Sequence, residues 1–225
     1  MNNHIYMYNQ IPWQPANFHT YPNEINNHLY TSSNNSYVSS AASVQPSVND
    51  EDAFTYVVTI PISTAKSMEG KYFAGTAVDI GFGEASNGWA RLYNPPDSGV
   101  NLYVNTWRVS DIVSTPYRVQ IWFNSSPPGI IQESRFITPV NTAINPLPEA
   151  KAKVQYGVGA KGYPAGGSFA FGTYRLAGNV VEEEVQGRYI IPPGGSLTAF
   201  ISNPENPTIP ASARVVFGWW EDPIV

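Results

Sequence analysis

The closing stretch of the chain, Gly187–Val225, reads GRYIIPPGGSLTAFISNPENPTIPASARVVFGWWEDPIV. Two runs within it, Leu197–Ile201 and Arg214–Trp220, have the β-branched and aromatic composition of strands and flank a loop rich in proline and asparagine. The second run is apolar on both faces, with Val215, Phe217 and Trp219 on one and Val216, Gly218 and Trp220 on the other. Such a strand is central to its domain or is covered by something outside it. The stretch therefore predicts a β-domain whose core is closed by its last strand.

The chain from about Asp52 onward repeats this pattern of short strands and turns. Val100–Val109 and Tyr117–Phe123 alternate with the period of two that a half-buried strand requires. Dense turn signals at Asn94–Gly99 and Pro127–Gly129 separate them from their neighbours. The further strand candidates are Phe54–Ile60, Tyr72–Ile80, Gly88–Tyr93, Arg135–Thr138, Lys153–Val158 and Phe169–Arg175.

About ten short strands separated by proline and glycine turns predict an all-β fold. The simplest arrangement is an antiparallel β-sandwich, jelly-roll-like, over residues 51–225, and a barrel is the alternative. No segment keeps a helical period, because Pro146 and Pro148 interrupt the nearest candidate, Ala143–Lys153. We expect the acidic run Glu182–Glu184 to form an exposed turn.

Residues 1–50 differ from the rest and predict an irregular N-terminal arm. They are rich in asparagine, tyrosine, serine and proline, and they contain no lysine or arginine. One interpretation is a flexible tail, because so little apolar surface does not offset the entropy of ordering. The other is an arm that lies on a neighbouring subunit, since aromatic residues such as Trp13 and Tyr21 are costly to leave in water.

The composition excludes several classes of protein. Only 13% of residues are charged, about half of the usual ~25%, and the net charge of −5 argues against a nucleic-acid partner. The chain has no cysteine, which excludes disulfides and thiolate metal sites. No apolar run approaches the ~20 residues of a membrane span, and the N-terminus lacks the regions of a secretory signal. We therefore expect a protein that stays where it is made, leaves by another route or is released by lysis.

The titratable residues do not form a recognisable catalytic or metal site. The histidines, His4, His19 and His28, all lie in the arm, where no helix or strand places them on one face. A pair of carboxylates for glycoside hydrolysis needs only two acids across a groove. The candidates are Asp79, Glu84, Asp97, Asp111 and Glu133. Each lies at a strand end or turn, where solvated acids are common, so we predict no enzyme, catalytic residue, metal or cofactor.

Surface aromatic residues are the remaining candidates for a site. Trp122 opposes the apolar face of Tyr117–Phe123, and Tyr103 and Trp107 oppose that of Val100–Val109. Such side chains are typical of three situations: strands buried on both faces, subunit interfaces, and surfaces that stack on glycans. The candidate subunit-contact or glycan-stacking residues are Trp13, Tyr21, Tyr103, Trp107, Trp122, Trp219 and Trp220. We expect Trp219 and Trp220 to contact the aromatic arm of the same chain or of a neighbour.

Three long motifs resemble those of a known family. They are EGKYFAGTA at Glu69–Ala77, GWARLYNPPDSGVNLYVNTWRVSDI at Gly88–Ile112, and IPPGGSLTAFISNPENPTIPASARVVFGWWEDPI at Ile191–Ile224. Together they resemble an uncharacterised family of small proteins from spore-forming Firmicutes, a domain of unknown function. The family has no assigned activity, so the resemblance carries no catalytic residue to this chain.

The resemblance implies a cellular setting. Surface proteins of spores are made in the mother cell and assembled on the forespore from outside, so they need no signal peptide. Endospore appendage subunits are similar in plan, with a jelly-roll domain and an N-terminal connector that inserts into the next subunit. They typically use cysteines, which are absent here, so a disulfide-linked fibre is in doubt.

These observations lead to an expected function. We expect a non-enzymatic structural protein that self-assembles on the spore surface (coat, exosporium or appendage) or into a surface fibre. Its arm would dock on a neighbouring subunit, so its partners would be copies of itself and other spore-surface proteins. The alternative is a glycan-binding module or a phage tail or base-plate component, located in a phage virion.

Overall fold

The computed structural model describes residues 59–224 and the two-residue segment Ser36–Tyr37. Trp13, Tyr21 and the three histidines lie outside the described residues. The described elements are β1 (Ser36–Tyr37), β2 (Ile60–Pro61), α1 (Ile62–Met68), β3 (Tyr72–Phe82), β4 (Asn87–Tyr93), β5 (Val100–Ser110), β6 (Tyr117–Phe123), β7 (Gln132–Glu133), β8 (Ile137–Pro139), β9 (Lys153–Ala160), β10 (Ser168–Arg175), β11 (Val181–Ile191), β12 (Ser196–Ser202) and β13 (Ala211–Pro223).

Two antiparallel sheets pack face to face, which confirms the predicted β-sandwich. One sheet has the strand order β10-β6-β12-β4-β9-β7 and the other has the order β11-β5-β13-β3-β8. A separate pair, β1 and β2, joins Ser36 to Pro61 and Tyr37 to Ile60. Residues 36 and 37 belong to the predicted arm, so this part of it pairs with the start of the described domain.

The strand pairing has the nested order of a jelly roll. β3 pairs with β13, β4 with β12, β5 with β11, and β6 with β10, all antiparallel. The β13–β5 and β12–β6 pairs then join these four strand pairs into the two sheets. β9 is an addition to this plan, because it pairs with β4 on one side and with β7 on the other. The predicted jelly-roll-like topology is therefore confirmed, with β7, β8 and β9 inserted between β6 and β10.

The core lies between the two sheets and is centred on the closing strand. Val215, Phe217 and Trp219 of β13 are fully buried, as the alternation predicts. Aromatic contacts link the sheets: Trp107 of β5 lies 6.3 Å from Phe171 of β10, measured between ring centroids. The burial of this apolar surface is the main source of the free energy of folding.

Glu221 fixes the end of β13 to the start of β9. Its carboxylate accepts hydrogen bonds from the backbone nitrogens of Lys151 and Ala152 and from Nε1 of Trp219, at 2.9–3.1 Å. The side chain is buried, so these donors replace the water that its charge would otherwise need. The contact therefore joins the last strand of the chain to a strand of the opposite sheet.

Two predictions of local structure are wrong. The segment Ile62–Met68 is a helix, which ion pairs from Lys66 to Glu69 and Asp222 hold against the domain. Glu182–Glu184 lies in β11 and not in a turn, because it pairs with β5 at Thr106–Arg108. The expected absence of a helix at Ala143–Lys153 is confirmed. Within residues 59–224, α1 is too short and too polar to cross a membrane.

Candidate functional site

Three of the predicted aromatic site residues are part of the buried interior. The exposed fractions of Trp107, Trp219 and Trp220 are 1%, 0% and 2%. The prediction that Trp107 opposes the apolar face of β5 is wrong. A bulge leaves Asn105 out of both neighbouring ladders, so the alternation changes phase between Val104 and Trp107.

Trp220 lies on the outer face of its sheet, and the domain itself covers it. Its ring stacks on Tyr103 with 5.4 Å between centroids and 1° between planes. On β11, Gly187 approaches so closely that a Cβ atom there would lie 2.2 Å from Cη2 of Trp220. The core therefore buries Trp219, and Tyr103 and Gly187 contact Trp220 from within the domain. The expected contact of these two residues with the arm stays a prediction, because it falls on residues outside the described ones.

Trp122 lies where the alternation of β6 predicts, on the outer face of the other sheet. It is half-buried beside a small second cluster formed by Trp89, Ala160 and Phe200. Its ring makes an edge contact with Phe169 of β10, with 5.2 Å between centroids. The outer face of this sheet therefore carries a band of aromatic side chains.

A depression of about 390 Å³ lies at the end of this band, between β6 and β10. Its lining residues are Arg118, Val119, Gln120, Phe169, Gly172, Thr173 and Tyr174. Phe169 and Tyr174 are 52% and 44% exposed, which is high for aromatic side chains. Glu205 accepts hydrogen bonds from Nε and Nη2 of Arg118, the first at 2.7 Å, and this pairing raises the pKa of Arg118 and lowers that of Glu205.

The edges of the two sheets differ in how well they are protected against further pairing. β7 and β8 have only two and three residues. β11 is interrupted by a bulge after Glu184, with Gln186 and Gly187 in the left-handed region, and it carries Glu182–Glu184. β10 has eight residues, no acidic side chain, and a pairing partner only in β6 among the described residues. Long unpaired edges are ready templates for another strand, so β10 is the open edge of the sandwich.

The candidate carboxylates lie in environments that are common for structural or solvent-exposed acids. Glu133 accepts hydrogen bonds from Gln155 and Lys153, which lower its pKa, whereas a general acid needs a raised one. Asp111 forms an ion pair with Arg214 at 3.2 Å. Asp79 and Glu84 have left-handed backbone conformations at a bulge and a turn, and Asp97 also lies in a turn. No group of three or more acids, histidines or cysteines that could hold a metal ion occurs among residues 59–224.

The sequence indicated only one residue of this aromatic band, Trp122. Phe169, Gly172 and Tyr174 were missed, although Phe169–Arg175 was predicted as a strand. The available signal was the spacing of its aromatic residues around a glycine, but which face they share depends on the bulge at Ala170. Their approach to Gln120 depends on the β10–β6 pair, which joins distant parts of the chain.

The comparisons with known proteins identify a family and no function. No curated protein and no solved structure matches the chain significantly. The profile of one family, DUF6143, matches residues 47–225, a longer stretch than the three motifs span. The match covers the whole described domain from Ile60 onward. The chain therefore belongs to DUF6143, a family of unknown function.

Proposed function

We propose that this protein is a non-enzymatic structural subunit that assembles with copies of itself. The observation that carries the proposal is the open edge at β10, an eight-residue strand that pairs with no described strand except β6. The bulge at Ala170 interrupts it near its start, and Phe171–Arg175 then pairs regularly with β6. An incoming strand would find unpaired main-chain donors and acceptors along this regular part.

The arm of a neighbouring subunit is the occupant that we propose for this edge. Residues 1–34 precede the described domain, lack lysine and arginine, and contain six aromatic residues: Tyr6, Tyr8, Trp13, Phe18, Tyr21 and Tyr30. Strand addition satisfies main-chain hydrogen bonds without requiring charged side chains, which suits this composition. A head-to-tail contact of this kind generates rings or filaments.

The cellular location of the protein is a second part of this proposal. The resemblance to proteins of spore-forming Firmicutes supports a place on the spore surface, with other surface proteins as further partners. A phage virion is the alternative location, since an assembling β-sandwich serves there as well. Immunoblots of washed spores against vegetative cells separate the two, because only the first location predicts enrichment on spores.

Sedimentation velocity and negative-stain microscopy of three variants test the assembly. Removal of residues 1–34 keeps both strands of the β1–β2 pair, Ser36–Tyr37 and Ile60–Pro61. We expect the full chain to form large assemblies and the truncated chain to stay small. Ala170→Lys should also reduce assembly, because it places a lysine directly before Phe171, where the regular part of the edge begins, and lysine on an edge strand opposes pairing.

Val140→Lys is the matched control for the charge. Val140 is exposed and follows β8, at the edge of the other sheet. The Val140→Lys variant should assemble like the unmodified chain. Assembly of the truncated chain to the same size as the full chain would contradict the proposal, provided that circular dichroism shows the same fold for both.

A further inference from the structure

We infer that the depression between β6 and β10 binds a neutral glycan. This site is independent of the proposed assembly, because it lies on the outer face of the sheet and not along the free edge of β10. The inference rests on the shape of the depression, its exposed aromatic rings and its balanced charge.

The first step is the aromatic platform. Phe169 and Tyr174 are exposed on β10 and line the depression, one on each side of Gly172 in sequence. Phe169 is held by its edge contact with Trp122, and Nε1 of Trp122 donates a hydrogen bond to Oε1 of Gln120 at 3.2 Å. A ring fixed in this way loses little entropy when a ligand stacks on it. Its negative face attracts the C–H groups on the apolar side of a sugar ring.

The second step is the space above Gly172. A Cβ atom at this position would lie 3.6 Å from Cζ of Phe169 and 3.7 Å from Cγ of Gln120, which are ordinary contacts. The φ angle of Gly172 is not in the left-handed region, so its backbone does not require glycine. The absence of a side chain therefore leaves the depression open, at a volume near the lower end of the ~300–1,000 Å³ usual for small-ligand sites.

The third step is the polar rim, which selects the class of ligand. Gln120, Arg118 and Tyr174 line the depression, and they carry an amide, a guanidinium and a phenolic hydroxyl. Glu205 balances the charge of Arg118, so no excess positive charge favours a phosphate or a sulfate. Sugar hydroxyl groups can accept a hydrogen bond from a guanidinium and exchange hydrogen bonds with an amide, so a sugar suits the Arg118 and Gln120 side of this rim. The shallow shape favours a chain of sugars over a small hydrophobic molecule, which needs enclosure.

Isothermal titration calorimetry of the full chain with soluble neutral hexasaccharides measures their affinity and tests the inference. The probes are cellohexaose, chitohexaose, maltohexaose and laminarihexaose, with hexagalacturonate as the charged comparator. We expect at least one neutral probe to bind with a Kd of about 1 mM or tighter, and hexagalacturonate to bind more weakly. Binding of none of the neutral probes, or tighter binding of the charged one, overturns the inference.

Two variants locate the site. Phe169→Ala removes the platform and should weaken binding about tenfold or more. Gly172→Leu should abolish it by filling the depression. The matched controls are Phe136→Ala, an aromatic residue of similar exposure elsewhere, and Gly81→Leu, a strand glycine of the other sheet with open space around it. Unchanged affinity in both test variants overturns the inference.

Sedimentation of the same variants separates this site from the subunit contact. Gly172→Leu should assemble like the unmodified chain, because an arm strand would lie beside β10 and not over its outer face. If Gly172→Leu disrupts assembly and no sugar binds, the depression belongs to the subunit contact and the glycan inference is wrong. If sugars bind but the truncated chain assembles normally, the glycan site stands and the proposed arm contact fails.

Discussion

Replacement of Gly187 by alanine tests whether the β11 bulge itself covers Trp220. The new Cβ would lie 2.2 Å from Cη2 and 2.6 Å from Cζ2 of Trp220, far inside van der Waals contact. The φ angle of +79° adds a backbone cost of about 1–2 kcal/mol for alanine. Moving Trp220 or the bulge adds about 1–3 kcal/mol of overpacking strain. We expect a total loss of about 2–5 kcal/mol in the free energy of unfolding.

Gly194→Ala is the control that isolates the backbone cost. Gly194 has a φ angle of +80° and no heavy atom within 4 Å of a built Cβ, so only the cost of about 1–2 kcal/mol should appear. Urea denaturation followed by circular dichroism measures both variants, and differential scanning calorimetry should show a Tm lower by roughly 4–20 °C for Gly187→Ala. Adding Trp220→Leu should reduce the penalty at Gly187 to that of the control. Equal losses for Gly187→Ala and Gly194→Ala would refute the packing of Gly187 on Trp220.

Two further perturbations test the contacts that hold β13. Glu221→Gln replaces one acceptor oxygen by an amide group that faces backbone donors. Urea denaturation should therefore show a loss of about 2–3 kcal/mol in the free energy of unfolding. A loss below about 0.5 kcal/mol would contradict the role of these hydrogen bonds in holding the end of β13. Hydrogen bonds from Lys71 and the nearby charge of Lys66 lower the pKa of Glu69 below 4.5. Glu69 therefore stabilises the fold above pH 4.5 and less as the pH falls below it. The urea midpoint should fall less from pH 6 to pH 3 in Glu69→Gln, and parallel curves would exclude this role.

The same cluster carries a prediction for Lys66 and Asp222. Burial lowers the pKa of Lys66, but the hydrogen bond and charge of Asp222, with those of Glu69, raise it above 10.5 overall. The stabilisation is therefore complete below pH 10.5 and is lost as the pH rises through the higher folded value. Asp222→Asn should lower the unfolding free energy at pH 7 by about 1.5–3 kcal/mol. An unchanged urea midpoint at pH 7 would show that Asp222 is not the main partner of Lys66.

The strands were predictable where a local pattern defines them. Tyr117–Phe123 was predicted with the bounds that β6 has, because its alternation is unbroken. Helix α1 was not predicted, since Lys66 is held by Asp222 from the far end of the chain. Glu182–Glu184 was misread because an edge strand exposes its side chains to solvent as a turn does.

The candidate sites were less predictable than the fold. Trp122 was assigned to the correct face, but Trp107 was not, because the sequence gives no sign of the bulge at Asn105. The depression needs Gln120 and Gly172 to be neighbours, and only the β10–β6 register brings them together. Which strand lies at an unpaired edge likewise depends on the order of the strands in the sheet. That order is set by pairing between distant parts of the chain and has no local signal in the sequence.

Hydrogen–deuterium exchange over β10 is the most direct test of self-assembly through its edge. The amides of Ser168–Arg175 would be compared, by mass spectrometry, in the assembled full chain and in the chain without residues 1–34. We expect slower exchange in the full chain, because an added strand would bond the amides on the free side of β10. Equal exchange over β10 in the two proteins, with the full chain assembled, would contradict the proposed arm contact.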